Sequence, residues 1–579
     1  GKKAIKEKNA VLAYIQCERN KRDSEIDYQF SRKIFENAVR DASKEADVTK
    51  ELKEQLASLT TAINEREGYK KDLVATEAKK LENFNTLILL ATEIEAITEN
   101  IRKLSDKDKN EKLAELKQRL EALHLEDKQL NRQIDDANRL YSLSNYLIAE
   151  AAKDGDAKKL AAKLKDLKVA ANRQKIYRKK LEAVERKILK TNTNKPKTKN
   201  DNERNELKKT QLTREKEDAE LAHSMMTAFI EDAEKAERAD NENADTDPDK
   251  KTNFEILKEQ ANQLREGIGG RRKYRKNVVF GQTKNRLALE EAENKHLEIE
   301  IKRKENKQRL DDPKFNQEKE DLKSLQKARN ENKTGLESVI LNRMSLRAIH
   351  EIGQLSLKDA TLSLQEQQAS RRVANAAQDH AIGRAFLTQA KADKNPSNLQ
   401  SQFALMEITV AVRNVLTRQL EEEETRQLKK KNELQKAEFD VIEHKKKLEI
   451  EKETLKDMAR TKDASSPEFI AQQSAVYASE SQLQYKEWEL KKLQRRQAEE
   501  ATFDDRRLAN AMKNENEANR LLKIILSPKT KVTERENAQK ELKELKNNIK
   551  KEKELEEKLA PPARVKEREQ YRTRLEKAE

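Results

Sequence analysis

Apolar residues return every three or four positions through most of this 579-residue chain, and Lys, Glu, Asn and Gln fill the positions between them. From Leu52 one register runs Leu52, Leu59, Arg66, Leu73, Lys80, Leu87, Ile94 and Ile101, with Leu56, Ile63, Lys70, Glu77, Phe84, Ala91 and Thr98 as its partner. The next segment is cleaner. Leu113, Leu120, Asp127, Ile134, Tyr141 and Ile148 alternate there with Leu116, Leu123, Leu130, Ala137 and Ser144. Such spacing lays one stripe against a neighbouring helix and leaves the other faces to water. Short turns between such segments favour antiparallel partners. The first seam is apolar at both ends and polar in the middle.

Breaks in the pattern mark the turns. Asp247-Pro248, Asp312-Pro313, Asn395-Pro396, Ser466-Pro467 and Ser527-Pro528 each set an N-capping residue before a proline, a pair that predicts a helix start. Upstream, Ser105 to Asp108, Asp154-Gly155-Asp156 and the polar stretch Thr191 to Asn200 around Pro196 predict turns, with Asp41 to Thr49 a weaker break. Neither glycine nor proline interrupts Ser397 to Ser465, which predicts one helix on the order of 100 Å long.

These marks divide the chain into coiled-coil arms over 1–190, a polar linker over 191–201, a helical hairpin over 202–333 with a basic glycine loop at 267–286, a central bundle over 334–420, and long coiled-coil helices over 421–579. The bundle assignment rests on charge. Thr334 to Leu420 holds 17 charged residues in 87, against 40% for the whole chain. Less charged helices are the more buried ones. Gly353 and Gly383 inside it predict close helix approach or a break. The fold class expected is all-α, with elongated antiparallel hairpins around a central helical bundle.

Composition narrows the function classes. With 35% hydrophobic and 4% aromatic residues the cores are thin, and ten glycines and eight prolines are too few for a disordered tail. One cysteine, Cys17, excludes an internal disulfide and fits a reducing compartment. Eighteen consecutive apolar residues occur nowhere, so no bilayer span is expected. The first residue is Gly1 rather than methionine, which points to a trimmed or processed start.

The formal net charge of +16 is local. Arg173 to Lys199 carries eleven basic and two acidic residues, Gly267 to Arg286 carries seven basic and none acidic, and these two segments account for the whole excess. An acidic run, Glu231 to Asp249, lies between them with nine acids and two bases. It is expected either to fold back on a basic segment or to stand solvated. The candidate contacts for an acidic partner or a phosphate are Arg271, Arg272, Lys273, Tyr274, Arg275 and Lys276 in the loop, followed by a Val278 to Gly281 stretch able to make a small hairpin, and Arg173, Lys175, Arg178, Lys179 and Lys180 upstream. Plain solvated surface is the competing reading.

No motif names a reaction. The six histidines are scattered with no second histidine three or four residues away, and HExxH and paired cysteines are absent. Asp245, Asp247 and Asp249 begin like a calcium loop, but Lys250 stands where the turn needs glycine and Ile256 where the site needs glutamate. Gly267, Gly269 and Gly270 lack the strand and helix context of a phosphate loop. Only Tyr177, Tyr274 and Phe280 are aromatic within the two basic segments, which disfavours nucleic acid as the partner. No enzyme activity, cofactor or metal is expected.

Polar, Lys/Asn/Glu-rich helices with repeated turns, a low-charge central bundle and no enzyme motif resemble, in layout, the LidA-type coiled-coil effectors that intracellular bacteria deliver into host cells. That resemblance implies a Rab-type small GTPase held against helices near the bundle and a phosphoinositide-bearing membrane met by a basic tract such as Arg271 to Lys276. It implies a location in the cytoplasm or in a host cytoplasm, peripheral on membranes. The expected function is non-enzymatic capture of a protein partner by a scaffold. The alternatives are a self-assembling structural protein and a non-specific binder of phosphates.

Overall fold

The computed structural model describes residues 2–41, 48–99, 106–193, 198–242, 252–268, 282–311, 335–527 and 530–559. These residues form helices α1 (Lys2–Asp41), α2 (Val48–Glu99), α3 (Asp106–Asp154), α4 (Ala157–Thr193), α5 (Lys199–Glu242), α6 (Asn253–Ile268), α7 (Gln282–Leu310), α8 (Gly335–Ala392), α9 (Leu399–Thr461), α10 (Pro467–Leu526) and α11 (Val532–Leu559), with no strand among the described residues. The fold is all-α, as the periodicity predicts. The stretch at 269–281, which holds the tract Arg271 to Lys276 and the expected hairpin, lies outside the described residues, as do Asp247-Pro248 and Asp312-Pro313.

Two compact units divide the chain. Unit 1 comprises Gly1–Leu287 and Gly383–Phe403; unit 2 comprises Ala288–Ile382 and Ala404–Glu579. Residues 334–420 therefore contribute to both.

Within unit 1, cross-helix contacts run in opposite directions along the two partners. Asn83 of α2 donates to the Leu123 carbonyl of α3 at 3.1 Å, while Arg66 reaches Asn145 at 3.5 Å. That order makes α2 and α3 antiparallel. Gln129 and Asp136 of α3 meet Glu185 and Arg178 of α4 in the same sense. Helix α4 packs on α2, α3, α5 and α6 and is the centre of the unit. The turn before it is the one read from Asp154-Gly155-Asp156. Gly155 takes φ +76°, where a Cβ would collide with the Asn37 amide, and Asn37 itself donates to the Asp154 carbonyl at 2.8 Å. Asp156 then caps α4 by accepting from the Lys159 N–H at 3.0 Å.

The polar middle of the first seam is an ion network. Arg66, only 1% exposed, donates through both Nη atoms to Asp27 of α1 at 2.9 and 2.7 Å. Lys70 reaches Asp23 at 2.8 Å, the Tyr141 hydroxyl donates to Asp23 at 2.8 Å, and Arg19 pairs with Glu77 at 2.7 Å. Polar heptad positions thus specify which residues of α1 and α3 face α2. Leu73, Ala137 and Tyr141, with Tyr69 and Ile134, make the apolar layer beside them.

Unit 2 is antiparallel by the same test. Gln368 and Asp379 of α8 meet Glu421 and Arg413 of α9, and Arg426 and Lys452 of α9 meet Asp504 and Glu480 of α10. Helix α9 is unbroken for 63 residues, roughly 95 Å at 1.5 Å per residue. Gly353 does not break α8. A Cβ there would stand 3.1 Å from the Phe439 ring of α9, so the glycine allows close approach.

The proline pairs divide. Ser466 caps α10 by accepting from the Phe469 N–H at 3.4 Å, with Pro467 as the first helical residue. Asn395 caps the turn that follows, its Oδ1 accepting from the Ser397 N–H at 3.0 Å, and has a second part as well. Its N–H donates to the Ala390 carbonyl at 3.1 Å after Lys394 has turned left-handed at φ 52°, so Asn395 closes α8, and α9 starts only at Leu399. Ser527 likewise ends α10 rather than starting α11 at Val532. Among the described residues, no helix is long and apolar enough to cross a membrane.

Candidate functional site

Helical geometry separates the upstream basic candidates onto two faces of α4. At about 100° per residue, Lys175, Arg178 and Lys179 fall on one side, while Arg173 and Lys180 fall with Tyr177 on the other. The first face turns to α2 and α3. There Lys175, Arg178 and Lys179 line a cleft of about 250 Å³ together with Tyr69, Asp72 and Lys79 of α2 and Gln133 of α3.

Two of the three α4 cations are already engaged. Lys175 pairs with Asp72 at 2.8 Å and Arg178 with Asp136 at 2.8 Å, the latter pair largely buried. Arg178 therefore stitches α4 to α3. Exposed Lys179 and, across the cleft, exposed Lys79 are the cations open to an incoming anion. Tyr69 adds a donor: its hydroxyl is buried without a hydrogen-bond partner, and that burial, with the Glu65 charge, pushes the phenol well above its ordinary range. This wall can accept an anionic group. It holds no nucleophile paired with a base.

The opposite face is different. Burial, reinforced by neighbouring Arg265, pulls the Arg173 guanidinium below its ordinary value. Buried Tyr177 is pushed up to about 12 by burial, against the pull of those two arginines. Lys180 lies over its ring at 5.9 Å. Hence the five residues form no single patch.

Among the described residues, acids of the run pair with cations outside both basic segments. Glu231 pairs with Arg139 at 2.7 Å, Asp232 with Lys394, and Glu237 with Lys163. These pairs tie α5 to α3, α4 and the end of α8 within unit 1, while 243–249 of the run and 269–281 of the basic loop lie outside the described residues.

A third surface was not among the sequence candidates. Val476, Ser479 and Asp504 of α10 are buried, and the opposite face leaves Ile470, Tyr477, Tyr485 and Trp488 about half exposed. All four project within a narrow arc, since 470, 477, 485 and 488 are separated by seven, eight and three residues. The Tyr485 and Trp488 rings stack with centroids 6.1 Å apart and an interplanar angle of 29°. Lys492 caps the indole at 4.9 Å and Lys486 lies 5.7 Å from the Tyr485 ring. The spacing was legible in the sequence. That this face is the outer one was not, because Leu and Ala residues dot the other faces too.

Among the described residues one group has a metal-compatible donor set, His296, Glu300 and Glu366. The chain matches no protein-family model, no curated protein and no solved structure.

Proposed function

We propose that this chain is a non-enzymatic coiled-coil scaffold that captures a protein partner on the outer face of α10. The observation that supports it is the aromatic stripe. In a chain with 4% aromatic residues, the single tryptophan stands half exposed, prestacked on Tyr485 and in line with Tyr477 and Ile470. Tryptophan and tyrosine on a rigid helix are the usual anchors of an interface, because they bury much area and lose little conformational freedom. The stripe from Ile470 to Trp488 is roughly 27 Å long, enough for a partner helix laid along it. Lys491, Lys492 and Arg495 follow it, so the partner's apolar stripe ends in acidic residues. A Rab-type small GTPase is the first partner class to try, on the strength of the layout shared with LidA-type effectors.

A second reading, capture of an anionic group such as a phosphoinositide headgroup, is favoured by Lys79, Lys179 and the unpartnered Tyr69 hydroxyl of the α4 cleft.

The test is a pull-down with the full chain against purified Rab-type GTPases and a eukaryotic lysate, run beside a Tyr485→Ala/Trp488→Ala variant, with mass followed by light scattering. Both residues are half exposed, so the variant keeps its thermal transition. Capture of a defined protein by a monodisperse wild type, weakened at least tenfold in the variant, supports the scaffold. Mass that rises with concentration, without a captured protein, overturns it in favour of self-assembly. Loss of capture in a Lys79→Ala/Lys179→Ala variant instead moves the site to the cleft.

A further inference from the structure

We propose that unit 2 contains a divalent transition-metal site made by His296 and Glu300 of α7 and Glu366 of α8. The donor atoms of these three half-buried residues lie within 4.8 Å of one another. His296 and Glu300 are four residues apart on one helix and so share a face, and Glu366 arrives from the helix packed against it. All three belong to the same compact unit.

The chemistry of the set selects the ion. One imidazole and two carboxylates suit zinc and its first-row neighbours, whereas calcium and magnesium take all-oxygen cages. Three protein ligands leave a fourth position to water, the pattern of an open zinc site. Bonds of about 2.0 to 2.2 Å in a tetrahedron put donors about 3.4 Å apart.

Arg303 supplies the second, independent observation. It lies one turn beyond Glu300 on α7, bonds Glu366 Oε2 through Nη1, and stands 3.9 Å from Asp359. One oxygen of Glu366 is thereby held by a guanidinium while its other oxygen remains for an ion, which is how outer partners orient a metal-binding carboxylate. The guanidinium does not balance the charge. Arg303 meets both Asp359 and Glu366, so one positive charge faces two carboxylates, and Glu300 adds a third close by. A divalent cation would offset the excess negative charge.

Its consequence is a clip between α7 and α8. Asn306, two turns from Glu300, donates to the Leu355 carbonyl at 3.2 Å, so the ion would reinforce an existing antiparallel contact.

Full-length protein stripped with a chelator and carrying Cys17→Ser, to remove the exposed thiol as a rival ligand, is titrated with Zn²⁺ by calorimetry and with Co²⁺ by visible absorption. The expected result is one ion per chain, a d–d spectrum of four- or five-coordinate Co²⁺, and a higher melting temperature. His296→Ala and Glu366→Gln each weaken Zn²⁺ binding at least tenfold while circular dichroism shows the helices retained. Should a variant lose its fold, the His296 ring resonances of the parent, shifted by stoichiometric Co²⁺ before those of any other histidine, carry the test. Binding that survives His296→Ala unchanged, no binding above background, or Co²⁺ shifts that begin at another histidine overturns the site.

Discussion

Arg66 and Arg413 are the two largest fully buried side chains described, one in each unit, and each clasps an aspartate with both Nη atoms. Their surroundings differ. Arg66 meets Asp27 at 2.7 Å, Glu67 at 3.1 Å and Asp23 at 4.0 Å, and Asp27 remains 24% exposed. Burial pulls the Arg66 guanidinium down, but three carboxylates outweigh it and hold its pKa above the ordinary value. Arg413 meets one carboxylate, Asp379, at 2.7 Å, and that aspartate is only 11% exposed. There burial wins: the Asp379 carboxyl is pushed up despite its partner. A buried ion pair gains when one member keeps a route to water and further charges converge on it; sealed from water with a single partner, the same pair is strained electrostatically.

The sharpest way to break this comparison is to remove each arginine. Arg66→Ala strands Asp27, while Asp23 keeps Lys70 and Tyr141, and is expected to destabilise unit 1 by about 3 kcal/mol, seen as a lower urea midpoint. Arg413→Ala is expected to cost less, and its cost shrinks on acidification, because Asp379 then takes up a proton. A combined Arg413→Met/Asp379→Leu replacement is expected to be neutral or stabilising. Equal losses for the two alanine variants at every pH would refute the electrostatic distinction.

A gentler probe is pH itself. The folded pKa of Asp379 lies above its ordinary 3.8, so between those two values the folded state holds more protons than the unfolded one, and this group's contribution to stability falls as pH rises through that window. Glu185 behaves oppositely. Burial raises it, but Arg132 at 3.1 Å, with Gln129, more than compensates and lowers it below 4.5. Its stabilisation is present above 4.5 and is lost as pH falls through the folded value. Urea midpoints from about pH 3 to about pH 6 are expected to flatten in opposite directions for Asp379→Asn and Glu185→Gln. A common direction would contradict the assignment.

The smallest expected effect tests the turns that set both networks in register. Gly155→Ala forces a Cβ into a left-handed residue against Asn37 and is expected to cost about 1–2 kcal/mol in unit 1. Ser466→Ala, at the corresponding turn of unit 2, loses one cap and is expected to cost about 1 kcal/mol. Thermal scans of the two variants rank them directly.

Much of the architecture is legible in the sequence. The seams through Leu52 and Leu113, the uninterrupted α9, the Gly155 turn and the Ser466 cap are local properties: side-chain spacing, backbone freedom and capping chemistry act within a few residues. Arg66, Lys70 and Glu77 were visible as polar intrusions in an apolar register. Their meaning was not, because Asp27, Asp23 and Arg19 lie 39, 47 and 58 residues away on another helix. The division of Lys175, Arg178 and Lys179 from Arg173 and Lys180 follows from helix geometry, yet which face would meet α2 and α3 depended on packing.

By itself, then, the sequence determined that the chain is helical, where several helices turn, and that its excess charge sits in two places. Tertiary structure alone decided which charges are spent on each other, which leave a cleft or an aromatic face open, and that His296 and Glu300 meet Glu366. The reason is physical. Helix formation and capping are short-range, whereas the fate of a charge or an aromatic ring depends on the burial and partners that distant segments bring to it.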